Sequence, residues 1–377
     1  MNRSVLHVAH HVLPHVGGLE AVVAAETRGL RARGWDVRVV SSAAGATPGT
    51  HVEGGVTTVR VRAWNVLEER YGAPFPLFSP RLLTVLGREV RRADLVHVHD
   101  ALYLSSWVAA LWCVLTRTPY VVHRHVGFVH HSSALVRLVQ RVVLGTAGRL
   151  VLARAAAVLA IDEPIATGLR SGGVDRVHVL ANGVDTARFH PVDDEERRRT
   201  RSAYALPDGP LALFVGRFVP KKGFGVVAKA ASDDHAIAFV GGDRPDGVTD
   251  PRLHFLGSLP PERMPEVYAC ADVMVVASVG ECPLTVLEAL SSGLFLLAND
   301  DPALHSPWTA GPGVEHVDMA GGRLPEALRK AFVDLDALRE AGVAGRAHVA
   351  AAYSWDAHLD RLEKLYRAQV ERVSISP

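Results

Sequence analysis

Residues 280–293 read Gly-Glu-Cys-Pro-Leu-Thr-Val-Leu-Glu-Ala-Leu-Ser-Ser-Gly and follow an apolar run at residues 273–277. The run predicts a buried strand, and Pro283 suits the first position of a helix because its missing N–H is not needed there. Leucines recur at helical spacing up to Gly293, a residue type that often follows a helix end. The stretch therefore predicts a strand, a tight turn and a helix, which is the repeating unit of a parallel α/β sheet.

The same turn predicts a site for an anion. A helix start presents unpaired backbone N–H groups, which together attract negative charge. Glu281 lies just before this helix and Glu288 lies inside it. Two carboxylates beside an anion site fit a ligand that carries phosphate and hydroxyl groups, as a sugar nucleotide does. The alternative is a structural turn, since an acidic residue near a helix start stabilises the helix dipole by itself.

Length and composition exclude several classes of protein. The 377 residues are too many for one typical core and indicate two domains. A net charge of +1 disfavours a general nucleic-acid binder, and three unevenly spaced cysteines form neither a disulfide framework nor a zinc motif. The N-terminus enters a strand-like run without a signal peptide, and residues 107–115 and 142–161 are too short or too charged to span a membrane. We expect a cytoplasmic protein.

Apolar runs alternate with helical patterns along the whole chain, which predicts mostly parallel, doubly wound sheets. Each half contains five or six such runs. The predicted strands are residues 5–9, 37–41, 56–61, 95–99, 120–125 and 157–161, then 211–215, 236–240, 253–255, 273–277 and 294–298. An Asn-Gly turn at residues 182–183 marks the junction. We expect an N-terminal domain at residues 1–182, a C-terminal domain at residues 183–352, and a helix at residues 353–377 that returns to the N-terminal domain.

Three further segments carry candidate site residues at strand ends, where open α/β sheets bind ligands. Gly17 and Gly18 follow the first strand and allow close approach of a phosphate, or simply form a turn between strand and helix. Arg217 and Lys222 follow the first strand of the second half and supply cations for a diphosphate. His125 ends a strand of the first half. Surface lysines and arginines are common, but their position in a strand-end loop favours the functional interpretation.

Taken together, these segments resemble the retaining glycosyltransferases of the group-one type, which have the GT-B fold. The resemblance covers nearly the whole chain and follows the family's order. It is carried by Gly17-Gly18-Leu19-Glu20, residues 94–99, Asn182-Gly183-Val184-Asp185 with Phe189 and Pro191, Gly216-Arg217 with Lys222-Gly223, and residues 283–289. It implies two Rossmann-like domains that face a central cleft.

The resemblance also implies roles for individual residues. Arg217 and Lys222 match the pair that neutralises the donor diphosphate as charge builds on the leaving group. Glu288 matches the glutamate that accepts hydrogen bonds from the ribose. The glycine loop matches one that approaches the diphosphate or the sugar, and His125 matches a histidine that positions the transferred sugar. Backbone amides of Leu284, Thr285 and Val286 complete the donor site.

One feature departs from the family pattern. Glu281 and Glu288 are seven positions apart, whereas the two glutamates of the family usually stand eight apart. Alignment on residues 283–288 places Gly280 where the first glutamate is expected. Glu288 is therefore the firmer assignment, and Glu281 is assigned to the donor sugar only if the turn is one residue shorter here.

Retention of configuration at the sugar is thought to need no protein nucleophile in this group. The departing phosphate takes the acceptor's proton, while the protein fixes geometry and charge. We expect no metal and no cofactor. The pairs His97/His99 and His123/His125 alternate as metal ligands do on a strand, but no carboxylate or cysteine set accompanies them at the usual spacing.

Two other functions remain open on the sequence. A sugar-nucleotide 2-epimerase has the same two-domain build, and a catalytically inactive sugar-nucleotide-binding partner would keep the same motifs. The acceptor is a sugar, a lipid-linked molecule or a small soluble molecule. Several predicted helices of the first half have arginine-rich faces, which leave open a peripheral association with an anionic membrane. These arginines are Arg81, Arg88, Arg91, Arg92, Arg137, Arg141 and Arg149. We expect a UDP-sugar donor as the commoner choice.

Overall fold

The computed structural model describes residues 3–15, 17–71, 75–126, 134–280 and 282–375. Contacts divide the chain into two compact units. The first unit contains Met1–Asn182 together with His358–Pro377, and the second contains Gly183–Ala357. Each unit is built around its own sheet.

The first unit has an eight-stranded sheet with the order β10-β9-β8-β7-β1-β2-β4-β3, in which only β3 runs antiparallel to its neighbour. Strands β5 and β6 form a separate short pair. The strands are β1 (Ser4–Val8), β2 (Asp36–Ser42), β3 (Gly49–Glu53), β4 (Val56–Val61), β5 (Ala63–Trp64), β6 (Leu77–Phe78), β7 (Leu95–His99), β8 (Tyr120–Arg124), β9 (Ala157–Ala160) and β10 (Val177–Val179). The helices from the first segment are α1 (Gly18–Ala32), α2 (Val66–Tyr71), α3 (Arg81–Val90), α4 (Leu104–Thr116), α5 (Ala134–Val143), α6 (Arg149–Arg154) and α7 (Glu163–Ser171), with a π-helical turn at Leu144–Gly148 between α5 and α6.

This sheet is covered on both faces, which explains the continuous apolar runs of its strands. Because side chains alternate along a strand, Leu6 and Val96 pack on one face with α3 and α4, while Val5 and Leu95 pack on the other. That second face is covered by Leu30 of α1 and by the C-terminal helix, through Leu359, Leu362 and Tyr366.

The second unit has a six-stranded, fully parallel sheet with the order β13-β12-β11-β14-β15-β16. The strands are β11 (Leu211–Val215), β12 (Ala236–Val240), β13 (Leu253–Phe255), β14 (Val273–Val276), β15 (Phe295–Asn299) and β16 (Val314–Val317). The helices are α8 (Asp194–Ala203), α9 (Phe224–Ala228), α10 (Met264–Cys270), α11 (Thr285–Ser291), α12 (Leu324–Ala331) and α13 (Leu335–Tyr353). Helix α14 (Trp355–Ile375) follows, and its residues from His358 onward belong to the first unit. Three short 3₁₀ turns also occur, at Pro220–Lys222, Pro261–Arg263 and Pro302–Leu304.

Each sheet has one point at which the strand order reverses. In the first unit the reversal falls between β1 and β7, and in the second it falls between β11 and β14. At such a point the loops leave in opposite directions from the carboxyl ends of neighbouring strands and open a crevice that binds ligands. The loops after these four strands are therefore where sites are expected.

The predicted fold class is confirmed, with two parallel-sheet, Rossmann-like halves. Strands β3, β5, β6, β10 and β16 were not predicted, because they are short or, like the exposed β3, lack an apolar run. The expected helix start at Pro283 is wrong. Helix α11 begins at Thr285, since Leu284 is its N-cap and the Pro283 carbonyl accepts a bond from the Val286 amide at 3.1 Å. Within the described ranges, no helix has the length and apolar character that crossing a bilayer requires.

Candidate functional site

The loop after β11 carries two of the predicted cations. Arg217 is exposed and Lys222 is half-buried. The Val219 amide bonds to the Arg217 carbonyl at 2.8 Å, and the Lys222 amide bonds to the Val219 carbonyl at 2.9 Å. These bonds fold the loop into a compact turn that ends at Gly223 in the left-handed region, with φ of 73°. Both cations thus lie on one short, ordered loop beside the reversal point of the sheet.

This loop is fastened to the turn that follows β14. The Val279 amide donates to the Lys221 carbonyl at 3.0 Å. A Cβ on Gly223 would lie 2.5 Å from both the Cβ and the carbonyl oxygen of Ala277, so only glycine fits this contact. The two loops that flank the reversal point are therefore held against each other. Glu281, predicted near the donor sugar, lies outside the described residues.

Glu288 lies in the first turn of α11 and is half-buried. The buried Tyr268 hydroxyl donates to Oε2 of Glu288 at 2.7 Å. Burial raises the pKa of Glu288, while the bond from Tyr268 and the charge of Arg188 act in the opposite direction. Among the described residues, Oε1 of Glu288 accepts no hydrogen bond. One carboxylate oxygen is thus fixed by the protein, and the other is available to hydroxyl donors.

The three neighbouring donor-binding candidates differ in their surroundings. The Val286 side chain is fully buried in the core of the second unit, so only its backbone is available to a ligand. Leu284 and Thr285 are half-buried. The Oγ1 atom of Thr285 is buried and has no hydrogen-bond partner within the described part of the chain. Because buried hydroxyls are normally paired, this atom points to a polar ligand group beside the start of α11.

The glycine loop of the first unit differs from a phosphate loop. Gly17 has an extended backbone that any residue adopts. A Cβ there would lie 2.3 Å from Oε2 of Glu20, which is 4% exposed and whose Oε1 hydrogen-bonds with His15 Nδ1 at 2.7 Å. Gly18 begins α1. A carboxylate over this loop suits hydroxyl donors better than a diphosphate, because like charges repel.

His125 follows β8 and is half-buried. Its Nε2 hydrogen-bonds with Nδ1 of His99 at 3.0 Å, and Nε2 of His99 hydrogen-bonds with Nδ1 of His7 at 3.0 Å. Burial lowers the pKa of His125 and of His99 well below the ordinary imidazole value. His125 is therefore the outer end of a chain of neutral imidazoles.

Sequence reasoning missed the carboxylate at the centre of this histidine cluster. Glu26 is fully buried on α1 and lies within 4 Å of imidazole nitrogens on five histidines, namely His7, His97, His99, His123 and His358. The expectation that no carboxylate accompanies the histidine pairs is therefore wrong. An acidic residue among the apolar positions of α1 was the signal that could have found it. Tyr268, the partner of Glu288, was also missed, because it lies on α10 and meets Glu288 of α11 only in the folded chain.

The arginines considered for a membrane surface have local partners. Arg88 donates to Glu89 at 2.8 Å, and Arg92 lies 3.7 Å from the same carboxylate. Arg91 lies over the Trp112 ring at 4.5 Å. These contacts give Arg88 on α3, and Arg91 and Arg92 just beyond its end, partners within the protein.

Comparison with known proteins identifies the family. Residues 16–188 match the family model described as Glycosyltransferase Family 4, and residues 209–335 match the one described as Glycosyl transferases group 1. Among known proteins, D-inositol 3-phosphate glycosyltransferase 1 of Catenulispora acidiphila is 30% identical over 408 residues, covering 94% of this chain and 91% of that protein. The GDP-mannose-dependent alpha-mannosyltransferase of Mycolicibacterium smegmatis is 29% identical over 395 residues, covering 98% of each.

A solved structure shows the same fold. The Anabaena protein HepE in complex with UDP-glucose superposes with a TM-score of 0.73 at 14% identity, covering 97% of this chain and 99% of that one. The first matched model covers β2 to β10 of the first unit, and the second covers β11 to β16 of the second unit. The chain therefore belongs to the group-1 glycosyltransferases with the GT-B fold.

Proposed function

We propose that this protein is a retaining glycosyltransferase that moves a sugar from a UDP-sugar to an acceptor hydroxyl. One observation carries the proposal. The loop with Arg217 and Lys222 and the turn leading to Glu288 follow β11 and β14, the two strands that flank the reversal point of the second sheet. Cations for a diphosphate and a carboxylate for the ribose are thus supplied by the two loops that open the crevice.

Each candidate site residue described in the second unit has a role in this proposal. Arg217 and Lys222 stabilise the negative charge that grows on the diphosphate as the glycosidic bond breaks. Glu288 accepts ribose hydroxyls on Oε1 while Tyr268 holds Oε2. Thr285 supplies its buried hydroxyl to the phosphates. Since two cations balance the diphosphate, we propose that transfer needs neither a metal nor a cofactor.

Residues of the first unit are assigned to the sugar and the acceptor. His125 positions the transferred sugar, and its neutral ring suits hydrogen bonding to hydroxyls. Gly17 and Gly18, beneath the Glu20 carboxylate, contact sugar hydroxyls rather than phosphate. Glu281 is assigned to the donor sugar. The departing phosphate takes the acceptor's proton on the face it leaves, which retains the configuration. The inositol phosphate named for one relative supports a small polyhydroxylated acceptor.

The test offers the purified full chain UDP-glucose, UDP-N-acetylglucosamine and GDP-mannose, each with and without acceptors such as inositol phosphate. We expect an α-linked product from an α-linked UDP-sugar, detected by NMR. Conversion of the donor alone into another sugar nucleotide would instead indicate an epimerase. A β-linked product would refute retention of the anomeric configuration. Preference for GDP-mannose would refute uridine as the base of the donor.

Two variants test the role of Lys222 directly. Lys222→Gln should lower kcat by about 100-fold or more, the usual effect of removing one group that stabilises transition-state charge. Lys229→Gln is the matched control, because Lys229 is exposed at the end of α9, a few residues away. Equal activity of the two variants would contradict the assignment.

A further inference from the structure

A polar cluster lies buried beneath one face of the first sheet. Glu26, His7, His97 and His99 all have side chains that are fully inaccessible to solvent. Sheet register brings the imidazoles together, because His7 on β1 lies opposite His97 on β7, and His99 is two residues further along the same strand. Helix α1 packs over this face and places the Glu26 carboxylate among them.

The Oε2 atom of Glu26 lies among these imidazoles without a hydrogen bond to any of them. Oε2 of Glu26 lies 3.8 Å from His7 Nδ1, 3.7 Å from His97 Nδ1 and 3.8 Å from His99 Nε2. All three distances exceed those of a hydrogen bond. Within the described part of the chain, the buried Oε2 of Glu26 has no hydrogen-bond partner. Buried polar atoms normally find partners, so this atom needs an explanation.

We propose that Glu26, His7, His97 and His99 bind one zinc ion. Their donor atoms lie within 4.8 Å of one another. Zinc bonds of about 2.0–2.1 Å in a tetrahedron set neighbouring donors roughly 3.3 Å apart. The three contacts of Glu26 are a few tenths of an ångström longer, and the contact from His7 to His99 is slightly shorter at 3.0 Å. Small side-chain movements therefore complete the site.

Charge favours a cation at this place. Burial lowers the pKa of His7 to about 4 and that of His97 and His99 well below the usual value, so the rings are in the neutral form that binds metals. Glu26 contributes a buried carboxylate to this ligand set, and a divalent ion would supply the positive charge that a buried carboxylate needs as a partner. Three imidazole ligands favour zinc and similar transition metals over hard cations such as magnesium.

The surrounding groups complete a second layer around the ion. Oε1 of Glu26 hydrogen-bonds with His358 Nε2 at 3.0 Å. The Tyr366 hydroxyl lies 2.5 Å from His97 Nδ1 and 3.5 Å from His7 Nε2, so with zinc on His97 Nδ1 it would accept a hydrogen bond from His7 Nε2 instead. Metal-bound histidines usually donate their second N–H to such a partner.

One consequence reaches the candidate active-site residue. If His99 binds zinc through Nε2, its proton is on Nδ1, which lies 3.0 Å from His125 Nε2. His99 then donates to His125 and fixes the tautomer of that ring with the proton on Nδ1. The zinc ion is thus structural and orients His125 through one ligand, and the proposal does not depend on the identity of the sugar donor.

The experiment uses the full chain without a histidine tag. The protein is stripped with a chelator, dialysed and titrated with zinc chloride, and its metal content is measured by mass spectrometry. We expect about one zinc per chain. Zinc X-ray absorption should show a shell of nitrogen and oxygen with imidazole scattering and no sulfur, and cobalt substitution should give the visible absorption of a tetrahedral site.

Variants place the ion. Glu26→Gln and His97→Gln should lose the bound zinc, whereas His178→Gln, at an exposed site, should keep it. His15→Gln is the sharper control, because His11, His15 and Glu68 form another grouping with metal-ligand spacing. Circular dichroism checks that each variant is folded. If Glu26→Gln or His97→Gln unfolds, the X-ray absorption and cobalt spectra of the wild type test the ligand set instead. No zinc uptake by folded wild type, a sulfur-containing shell, or loss only in His15→Gln would overturn the proposal.

Discussion

Several histidines of the first unit are buried as neutral groups, and His11 illustrates the effect at the scale of one residue. His11 is 1% exposed, and its Nδ1 hydrogen-bonds with Ser42 Oγ at 2.9 Å. Burial lowers its pKa to about 4, with a further contribution from His15 and an opposing one from Glu68. In the unfolded chain its pKa returns to about 6.5. Between these two values the unfolded state binds a proton that the folded state does not.

This difference predicts acid sensitivity. As pH falls from 6.5 towards 4, protonation of the unfolded chain lowers the free energy of unfolding, and His11 contributes on the order of 1–2 kcal/mol to the loss. Thermal unfolding at pH 7.5 and pH 5 should show that His11→Gln loses less stability between the two pH values than wild type does. His178→Gln, changed at an exposed imidazole, should behave like wild type. A loss in His11→Gln as large as that of wild type would contradict the assignment.

At the scale of elements, the candidate donor site depends on how the loops after β11 and β14 pack. Gly223 has φ of 73° and touches Ala277, while Gly225, two residues later in α9, has nothing within 4 Å of its missing Cβ. The two glycines are close in sequence but opposite in their tolerance of a side chain.

Alanine substitutions should separate them. Gly223→Ala should destabilise the protein by about 1–3 kcal/mol, through backbone strain and contact with the Ala277 carbonyl, and should weaken nucleotide binding. Gly225→Ala should be neutral or stabilising by about 0.5–1 kcal/mol, because it removes a glycine from a helix interior. Chemical unfolding and nucleotide titration measure both effects. Normal binding by Gly223→Ala would show that the packing of the two loops does not support the site.

The elements also show what sequence reasoning can and cannot find. Buried strands such as β11 and β14 are predictable because both faces are apolar, and the loop of Arg217 and Lys222 is predictable because it follows β11. β3 is not predictable, because it is exposed and polar and depends on pairing with β4. Glu26 and Tyr268 act through partners on other elements, so only the folded chain reveals them.

At the scale of the whole molecule, the first unit is built from two distant segments of the chain. Residues 358–377 belong to it although they follow the second unit in sequence. Leu362 and Tyr366 of α14 are fully buried against the first sheet. The first unit therefore requires the C-terminus of the chain for a complete core.

Truncation of a single side chain tests this dependence. Leu362→Ala should lower the free energy of unfolding by about 2–5 kcal/mol, since it opens a cavity in a closed core. Leu150→Ala on α6 is the matched control, because Leu150 is 65% exposed and should change stability little. Chemical denaturation followed by circular dichroism compares the two. Equal stability of both variants would show that α14 is not part of the core.

The strand ends of the second unit are proposed to bind a nucleotide diphosphate through Glu288 and the loop that carries Arg217 and Lys222. Calorimetric titration of UDP and GDP into wild type, Glu288→Gln and the control Glu315→Gln tests this most directly, since Glu315 lies on β16 and pairs with Lys330 of α12. We expect UDP to bind wild type and the control alike, and to bind Glu288→Gln more weakly by about 1–3 kcal/mol through lost ribose hydrogen bonds. Absence of nucleotide binding to folded wild type, or equal binding by Glu288→Gln, would contradict the account.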